Sequence, residues 1–188
     1  QENGIVTVHL GYVASDFHCL LDGELFLPQS WSEDRERCRA AGIPDEMVYR
    51  PKTEIALELY DRAVANGIHF AWMTFDEWYG SKPHFLHAMD SRGQKFVAEV
   101  HCQFVAWTEE PKVTTRRWRK GGRGRSRKTP RVVAEAPKPQ YVEDLLRHKP
   151  VLRDQAWEVW RVKEGEKGPI VWEVKQTTIF IKDAQGLP

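Results

Sequence analysis

The chain has 188 residues, of which 41% are apolar and 29% charged, a composition typical of a globular protein and not of a disordered one. Its net charge of +1 conceals an asymmetry: residues 112–131 hold ten Lys or Arg and no acid, which leaves 18 of the 28 basic residues against 27 acidic ones elsewhere. No apolar run approaches the ~18 residues of a membrane-spanning helix, and the three scattered cysteines fit neither a disulfide framework nor a zinc motif. We therefore expect a cytoplasmic protein that binds a polyanion and has no membrane partner.

The first predicted elements are two strands and a short helix. Residues 5–13 alternate apolar and polar side chains, and residues 17–28 form a second such run after three turn-forming residues. This pattern predicts an antiparallel hairpin. Ser30 and Glu33 then have the spacing of a capping box, which predicts a short helix as far as Arg39.

The clearest helix signal lies in residues 53–67, where apolar side chains recur at helical spacing between Thr53 as N-cap and Asn66-Gly67 as the left-handed stop. Residues 68–75 follow as a short, nearly continuous apolar run. A run without polar alternation is typical of a strand that is covered on both faces. A helix that leads into such a strand predicts a layered α/β core.

A second helix from Pro83 to Arg92 and a strand over residues 95–107 complete a predicted first domain of residues 1–110. The composition changes after that point. Residues 111–140 are rich in glycine and arginine and have no apolar periodicity, which predicts a basic linker.

Residues 141–188 predict a smaller, β-rich segment. It begins with the short helix YVEDLLRH and continues as two strands joined across the turn sequence GEKGP. Its three tryptophans, Trp157, Trp160 and Trp172, are expected to pack its interior.

Asp76 is the first candidate for a functional residue. It lies where the predicted buried strand ends, and ligands of open α/β sheets bind beyond the carboxyl ends of strands. A carboxylate held there by a rigid strand suits a hard metal ion. An Asp in this position also suits a turn or a helix cap, so position alone leaves both interpretations open.

The surroundings of Asp76 resemble a known pattern. In MTFDEWYG, residues Thr74, Asp76, Tyr79 and Gly80 match T-x-D-x-x-Y-G, the sequence around the second catalytic aspartate of DDE-type insertion-sequence transposases. Further segments are similar to that bacterial family in the same order, and they cover nearly the whole chain: VHLGYVASDFHCLLDGELFLPQSW, RERCRAAGIPDE, KTEIALELYDRAVANGIHFAWMTFDEWYG, VEDLLRHKP, KGPIVWEVK and KDAQGLP.

The resemblance implies an α/β fold with a ribonuclease-H-like core, in which a five-stranded mixed sheet is packed with helices. Three acidic residues of that core hold two divalent ions, Mg²⁺ or Mn²⁺, and Asp76 would be the ligand at the end of the fourth strand. The implied reaction is metal-dependent DNA cleavage and strand transfer at transposon ends, carried out by a homo-oligomer.

The other two acidic residues of the family are not matched here. The resemblance places the first Asp before Gln1 and the Glu on a helix beyond Pro188, so the ribonuclease-H-like core is expected to be incomplete and inactive alone. Asp22 and Glu24 are interpreted as solvent-facing strand residues. The alternative function is that of a catalytically inactive remnant that only binds DNA or a partner.

The basic segment is the candidate for DNA contact. Its cations suit phosphate groups, and an exposed aromatic residue among them suits base stacking. The alternative is a solvated loop that balances the acidic remainder of the chain. The predicted DNA-binding residues are Arg116, Arg117, Trp118, Arg119, Lys120, Arg123, Arg125 and Arg127.

Overall fold

The computed structural model of the chain describes residues 4–115 and 130–182. Its elements in chain order are β1 (Thr7–Ala14), β2 (Phe17–Leu25), α1 (Gln29–Ser32), α2 (Arg35–Ala40), α3 (Lys52–Ala65), β3 (Met73–Phe75), α4 (Glu77–Gly80), α5 (Pro83–Ser91), β4 (Phe96–Ala98), β5 (Val105–Ala106), β6 (Val113–Thr114), β7 (Arg131–Val132), β8 (Gln140–Tyr141), α6 (Val142–His148), α7 (Pro150–Arg153), β9 (Glu158–Gly165) and β10 (Gly168–Val174). No helix in the described ranges is long and apolar enough to cross a membrane.

The chain divides into two compact units. The first consists of Gln1–Thr74 with Ala88–Val97, and the second of Phe75–His87 with Ala98–Pro188.

The first unit is built on the predicted hairpin. Strands β1 and β2 pair antiparallel across a tight turn, with a register shift between Leu10 and Gly11. Val8 and Leu10 are buried while their strand neighbours are exposed, so the period of two predicted for a half-buried strand is confirmed.

The segment after the hairpin differs from its prediction. Two short helices, α1 and α2, replace the single capping-box helix, because Asp34 begins a new helix by accepting a hydrogen bond from the backbone N–H of Arg37 at 3.0 Å. Glu33 instead accepts a hydrogen bond from the side chain of Gln29 at 2.8 Å.

Helix α3 packs its apolar side onto the hairpin. Ile55 and Leu59 are each 1% exposed, and Gly67 ends the helix region in the left-handed conformation as predicted. The predicted N-cap is wrong: Pro51 occupies that position with its ring-restricted φ, and Thr53 is buried as the second residue of the helix.

The predicted strand of residues 68–75 is reduced to β3. The first half of the predicted run is irregular because the N–H of Ile68 donates to the carbonyl of Ala63 in α3, while the side-chain amide of Gln94 donates to the carbonyl of Phe70 at 3.3 Å. Backbone groups used in this way cannot join a sheet. The prediction that this run is covered on both faces is wrong as well, since Trp72 is 58% exposed.

Strands β3 and β4 pair with α5 between them in the chain. The N–H of Met73 donates to the carbonyl of Lys95, and the N–H of Glu99 donates to the carbonyl of Phe75. Both bonds advance in the same chain direction, as in a parallel pair. The strand predicted over residues 95–107 is thus interrupted between β4 and β5.

The second unit has a small apolar core near its C-terminal helices. Ala106 of β5, Leu145 of α6 and Leu152 of α7 are buried together, and Ile181 packs against them. Strand β5 pairs with β8, and Trp107 forms a further bridge to Phe180.

The hairpin of β9 and β10 turns at the predicted GEKGP sequence, but it does not bury its aromatic residues. Trp160 and Trp172 lie opposite each other across the two strands and are 51% and 61% exposed, and Trp157 is 52% exposed. The prediction that they pack an interior is wrong, because a lone two-stranded ribbon exposes both of its faces.

The α/β class is confirmed, but the five-stranded mixed sheet is not seen. The described strands pair into five separate two-stranded sheets, and among them no strand joins the β1–β2 hairpin to the β3–β4 pair.

Candidate active site

Asp76 is held at the junction between a strand and a helix. It follows the last residue of β3 and occupies the N-cap position of α4, where its Oδ1 accepts hydrogen bonds from the N–H of Trp78 at 3.0 Å and of Tyr79 at 3.3 Å. Aspartate is favoured at this position because it satisfies N–H groups that lack a helical partner. The backbone of α4 therefore fixes the direction of the carboxylate.

The second carboxylate oxygen of Asp76 is available to a ligand. No donor within the described residues bonds to Oδ2, and the residue is exposed. The two sequence interpretations of Asp76 are thus compatible, since one oxygen caps the helix while the other has no hydrogen-bond donor among the described residues.

Aromatic rings support this junction. Phe85 of α5 packs edge-on against Phe75 at a centroid distance of 5.0 Å and against Tyr79 at 5.2 Å. Burial, with a smaller contribution from the negative charge of Asp76, raises the pKa of the Tyr79 hydroxyl above its usual range. Tyr79 is therefore a neutral, half-buried side chain that anchors α4.

Gly80 explains the last position of the T-x-D-x-x-Y-G pattern. A Cβ at residue 80 would fall on the backbone carbonyl of Glu99, far inside the 3.0 Å that real Cβ atoms respect, and it would also meet Ala98 at 3.1 Å. Only glycine lets α4 approach the end of β4 this closely.

The other acidic residues do not complete a metal site. Within the described residues, no group of three His, Cys, Asp or Glu side chains is placed to hold a metal ion. Asp22 and Glu24, interpreted above as solvent-facing, are instead half-buried and form ion pairs with Arg62 and Arg50. They fasten β2 to α3 and its preceding loop.

The predicted DNA-binding residues, Arg116 to Arg127, lie outside the described residues. The described flanks of the segment that contains them pair with each other: Val113 lies opposite Val132, and Thr114 opposite Arg131. The two backbone segments that border residues 116–129 therefore lie side by side.

A cleft of about 390 Å³ lies in the second unit. Its lining residues are Ser81, Pro83, His101, Gln103, Phe104, Val105 and Lys182. This lining contains no carboxylate among the described residues, so the cleft lacks the hard oxygen ligands of a magnesium site.

A comparison with known protein families shows which family the chain belongs to. Residues 1–169 match the family model described as DDE superfamily endonuclease. The chain belongs to the DDE superfamily endonucleases. The predicted resemblance to DDE-type transposases is confirmed at this level, and membership assigns the chain to a superfamily that acts on DNA and generally uses divalent metals. No curated protein and no solved structure matches the chain.

Sequence reasoning singled out the region around Asp76 of this DDE endonuclease but described part of it incorrectly. The position of Asp76 was interpreted as suiting either a turn or a helix cap, and the residues after it form helix α4, which Asp76 caps. The side chains of Trp78 in α4 and of Lys82 after it were not singled out. Lys82 follows α4 and precedes α5, so helical spacing does not relate it to Trp78, and their contact is seen only in the fold.

Proposed function

We propose that this DDE endonuclease is a transposase that cleaves DNA and transfers strands at transposon ends, and that Asp76 is one of its metal-holding carboxylates. The observation that carries the proposal is the open Oδ2 of Asp76 at the C-terminal end of β3, within a family match that spans residues 1–169. The position agrees with the second acidic residue of the transposase pattern.

A divalent ion, Mg²⁺ or Mn²⁺, would supply activation of the attacking hydroxyl and stabilisation of the leaving oxygen. The described residues fit one ligand position of such a site, at Asp76, and do not fit the whole of it. The part played by this chain is therefore one of orientation: the N–H groups of Trp78 and Tyr79 hold Oδ1, and Oδ2 is left for a metal ion.

A ribonuclease-H-like core belongs to the same proposal. Its support is the chain order of two hairpin strands, a long helix, a strand that ends in Asp76, a second helix and a further strand. This order matches the second to fifth strands of that core and the helices that follow the third and fourth.

DNA contact through the basic segment and a homo-oligomeric state are also proposed. Ten cations without an acid repel one another strongly unless a polyanion is close. The pairing of β6 with β7 brings the two described flanks of this segment together.

The second candidate function is DNA or partner binding without catalysis. It is favoured because the described residues include no group of three His, Cys, Asp or Glu side chains placed to hold a metal ion. Metal-dependent cleavage separates the two candidates.

The test is cleavage of DNA that carries the transposon ends by full-length Asp76→Asn protein. Asparagine is as good an N-cap as aspartate, so folding is kept while a negative metal ligand is lost. Asp34→Asn is the matched control, because Asp34 also caps a short helix through its carboxylate. We expect loss of cleavage in Asp76→Asn only, with DNA affinity unchanged; cleavage retained by Asp76→Asn would refute the role of this residue.

A further inference from the structure

Trp78 is a large aromatic side chain fixed beside the candidate catalytic carboxylate. It lies two residues after Asp76, and its N–H donates to Asp76 Oδ1 at 3.0 Å. The position of its backbone is thus tied to that of the carboxylate. The ring remains 43% exposed although Trp is among the costliest residues to leave in water.

The ring is held by its neighbours. Tyr79 packs edge-on against it at a centroid distance of 4.9 Å, and Tyr79 is itself anchored on Phe85. A supported ring loses little conformational freedom when a planar ligand stacks on it.

Lys82 places a cation at the same ring. Its Nζ lies 5.2 Å from the centroid of Trp78. Within the described part of the chain, this ammonium group has no hydrogen-bond acceptor and no acidic partner. Lys175, which lies over Trp157 at 4.6 Å, differs in this respect, because its ammonium donates to the carbonyls of Leu152 and Arg153.

A stacking ring next to an uncommitted cation is the combination that binds a nucleotide, since the ring takes a base and the ammonium a phosphate. We propose that Trp78 and Lys82 form a nucleotide-binding platform that stacks an unpaired base of the DNA strand held at Asp76. The base must be unpaired because a base inside a duplex has both faces covered by its neighbours. The proposal rests on the proposed DNA-cleaving function and adds a positioning site to it.

The test measures binding of a single-stranded oligonucleotide by the full-length protein. A set of oligonucleotides carries 2-aminopurine at one position, moved along the strand, and a matching set carries an abasic site there. At the position that stacks, we expect quenching of 2-aminopurine fluorescence. Trp78→Ala should abolish the quenching and weaken binding roughly 5- to 100-fold, while Trp78→Phe should restore part of both.

The abasic set shows whether the lost affinity belongs to the base. With an abasic site at that position, wild type and Trp78→Ala should bind alike, since the two deletions remove the same contact. Lys82→Ala should lower the slope of log affinity against log salt by about 0.7, as expected for one phosphate contact on a single strand.

Trp157→Ala is the matched control, because Trp157 is 52% exposed and also lies under a lysine. We expect it to quench like wild type. The platform would be overturned if Trp78→Ala lost as much affinity for the abasic oligonucleotide as for the one with the base. It would also be overturned if Trp157→Ala lost as much quenching and affinity as Trp78→Ala. The proposed function fails by a different result, the absence of metal-dependent DNA cleavage by the wild-type protein, which leaves the quenching data intact.

Discussion

Gly80→Ala offers a sharp test of the packing around Asp76, because two effects of the substitution have opposite signs. In a helix that is free of contacts, alanine is more favourable than glycine by up to about 1 kcal/mol. At residue 80 the added methyl group would overlap the carbonyl of Glu99. A backbone oxygen cannot swing aside as a flexible side chain can, so α4 or β4 has to shift.

Overpacking of this kind costs about 1–3 kcal/mol, and occasionally more. This cost exceeds the gain in helix propensity, so we expect Gly80→Ala to lower the free energy of unfolding by about 1–2 kcal/mol. The shift would also displace the N-terminus of α4, which orients Asp76.

The assay is urea denaturation followed by circular dichroism, with the midpoint compared at an unchanged m-value. Gly11→Ala is the control, because a Cβ there meets only the carbonyl oxygen of Cys19 at 3.7 Å, an ordinary contact. It should change stability by less than about 0.5 kcal/mol. Equal or greater stability of Gly80→Ala would refute the close approach of α4 and β4.

Three further predictions concern other parts of the chain. The hydrogen bond from Arg92 lowers the pKa of Asp61, so this pair stabilises the fold above about pH 4, and its contribution is lost as pH falls through the lowered pKa. In urea titrations, the free energy of unfolding of Asp61→Asn should therefore fall less between pH 5 and 3 than that of the wild type. An equal fall in the two proteins would contradict the pairing. Leu145→Ala should cost about 2–5 kcal/mol in the same assay because Leu145 is 1% exposed in the core with Leu152, whereas a cost under 1 kcal/mol would show that this core is not formed. The third prediction concerns four cations of the basic segment, Arg116, Arg117, Arg119 and Lys120. Replacing all four with Ala should weaken DNA binding uniformly across sequences and reduce the slope of log affinity against log salt concentration by about 3 to 4. Unchanged affinity would refute DNA contact there.

Local signals in the sequence predicted the local structure well. The hairpin, helix α5 and the left-handed stop at Gly67 follow from alternation, helical spacing and turn chemistry, all of which act over a few residues. The N-cap of α3 was missed because Pro51, two residues before Thr53, already has the φ that starts a helix.

The errors arose where distant residues decide the conformation. The run of residues 68–75 has the composition of a buried strand, yet its early backbone groups bond to α3 and to the side chain of Gln94. Gln94 lies 24 residues from Phe70, so no local pattern could reveal that bond. The exposed Trp160 and Trp172 show the same limit, since burial requires a partner surface that sequence does not identify.

The candidate site likewise has features that the sequence could predict and features that only the fold reveals. Asp76 could be found from its position after a strand and from the T-x-D-x-x-Y-G pattern. The reason for Gly80 in that pattern required the fold, because its contact, Glu99, lies on a different element. The platform of Trp78 and Lys82 became visible only in the fold, where the link between α4 and α5 places the cation at the ring.

The most direct test of the central claim, that Asp76 binds the divalent metal of a DDE endonuclease, is a change of metal preference in Asp76→Cys. A thiolate is a poor ligand for Mg²⁺ and a better one for softer ions such as Mn²⁺. In the full-length protein we expect Asp76→Cys to lose DNA cleavage in Mg²⁺ and to recover it in Mn²⁺, while Asp34→Cys keeps the wild-type preference. Equal activity of Asp76→Cys in the two metals, or its absence in both while DNA binding and folding are intact, would contradict direct ligation by residue 76.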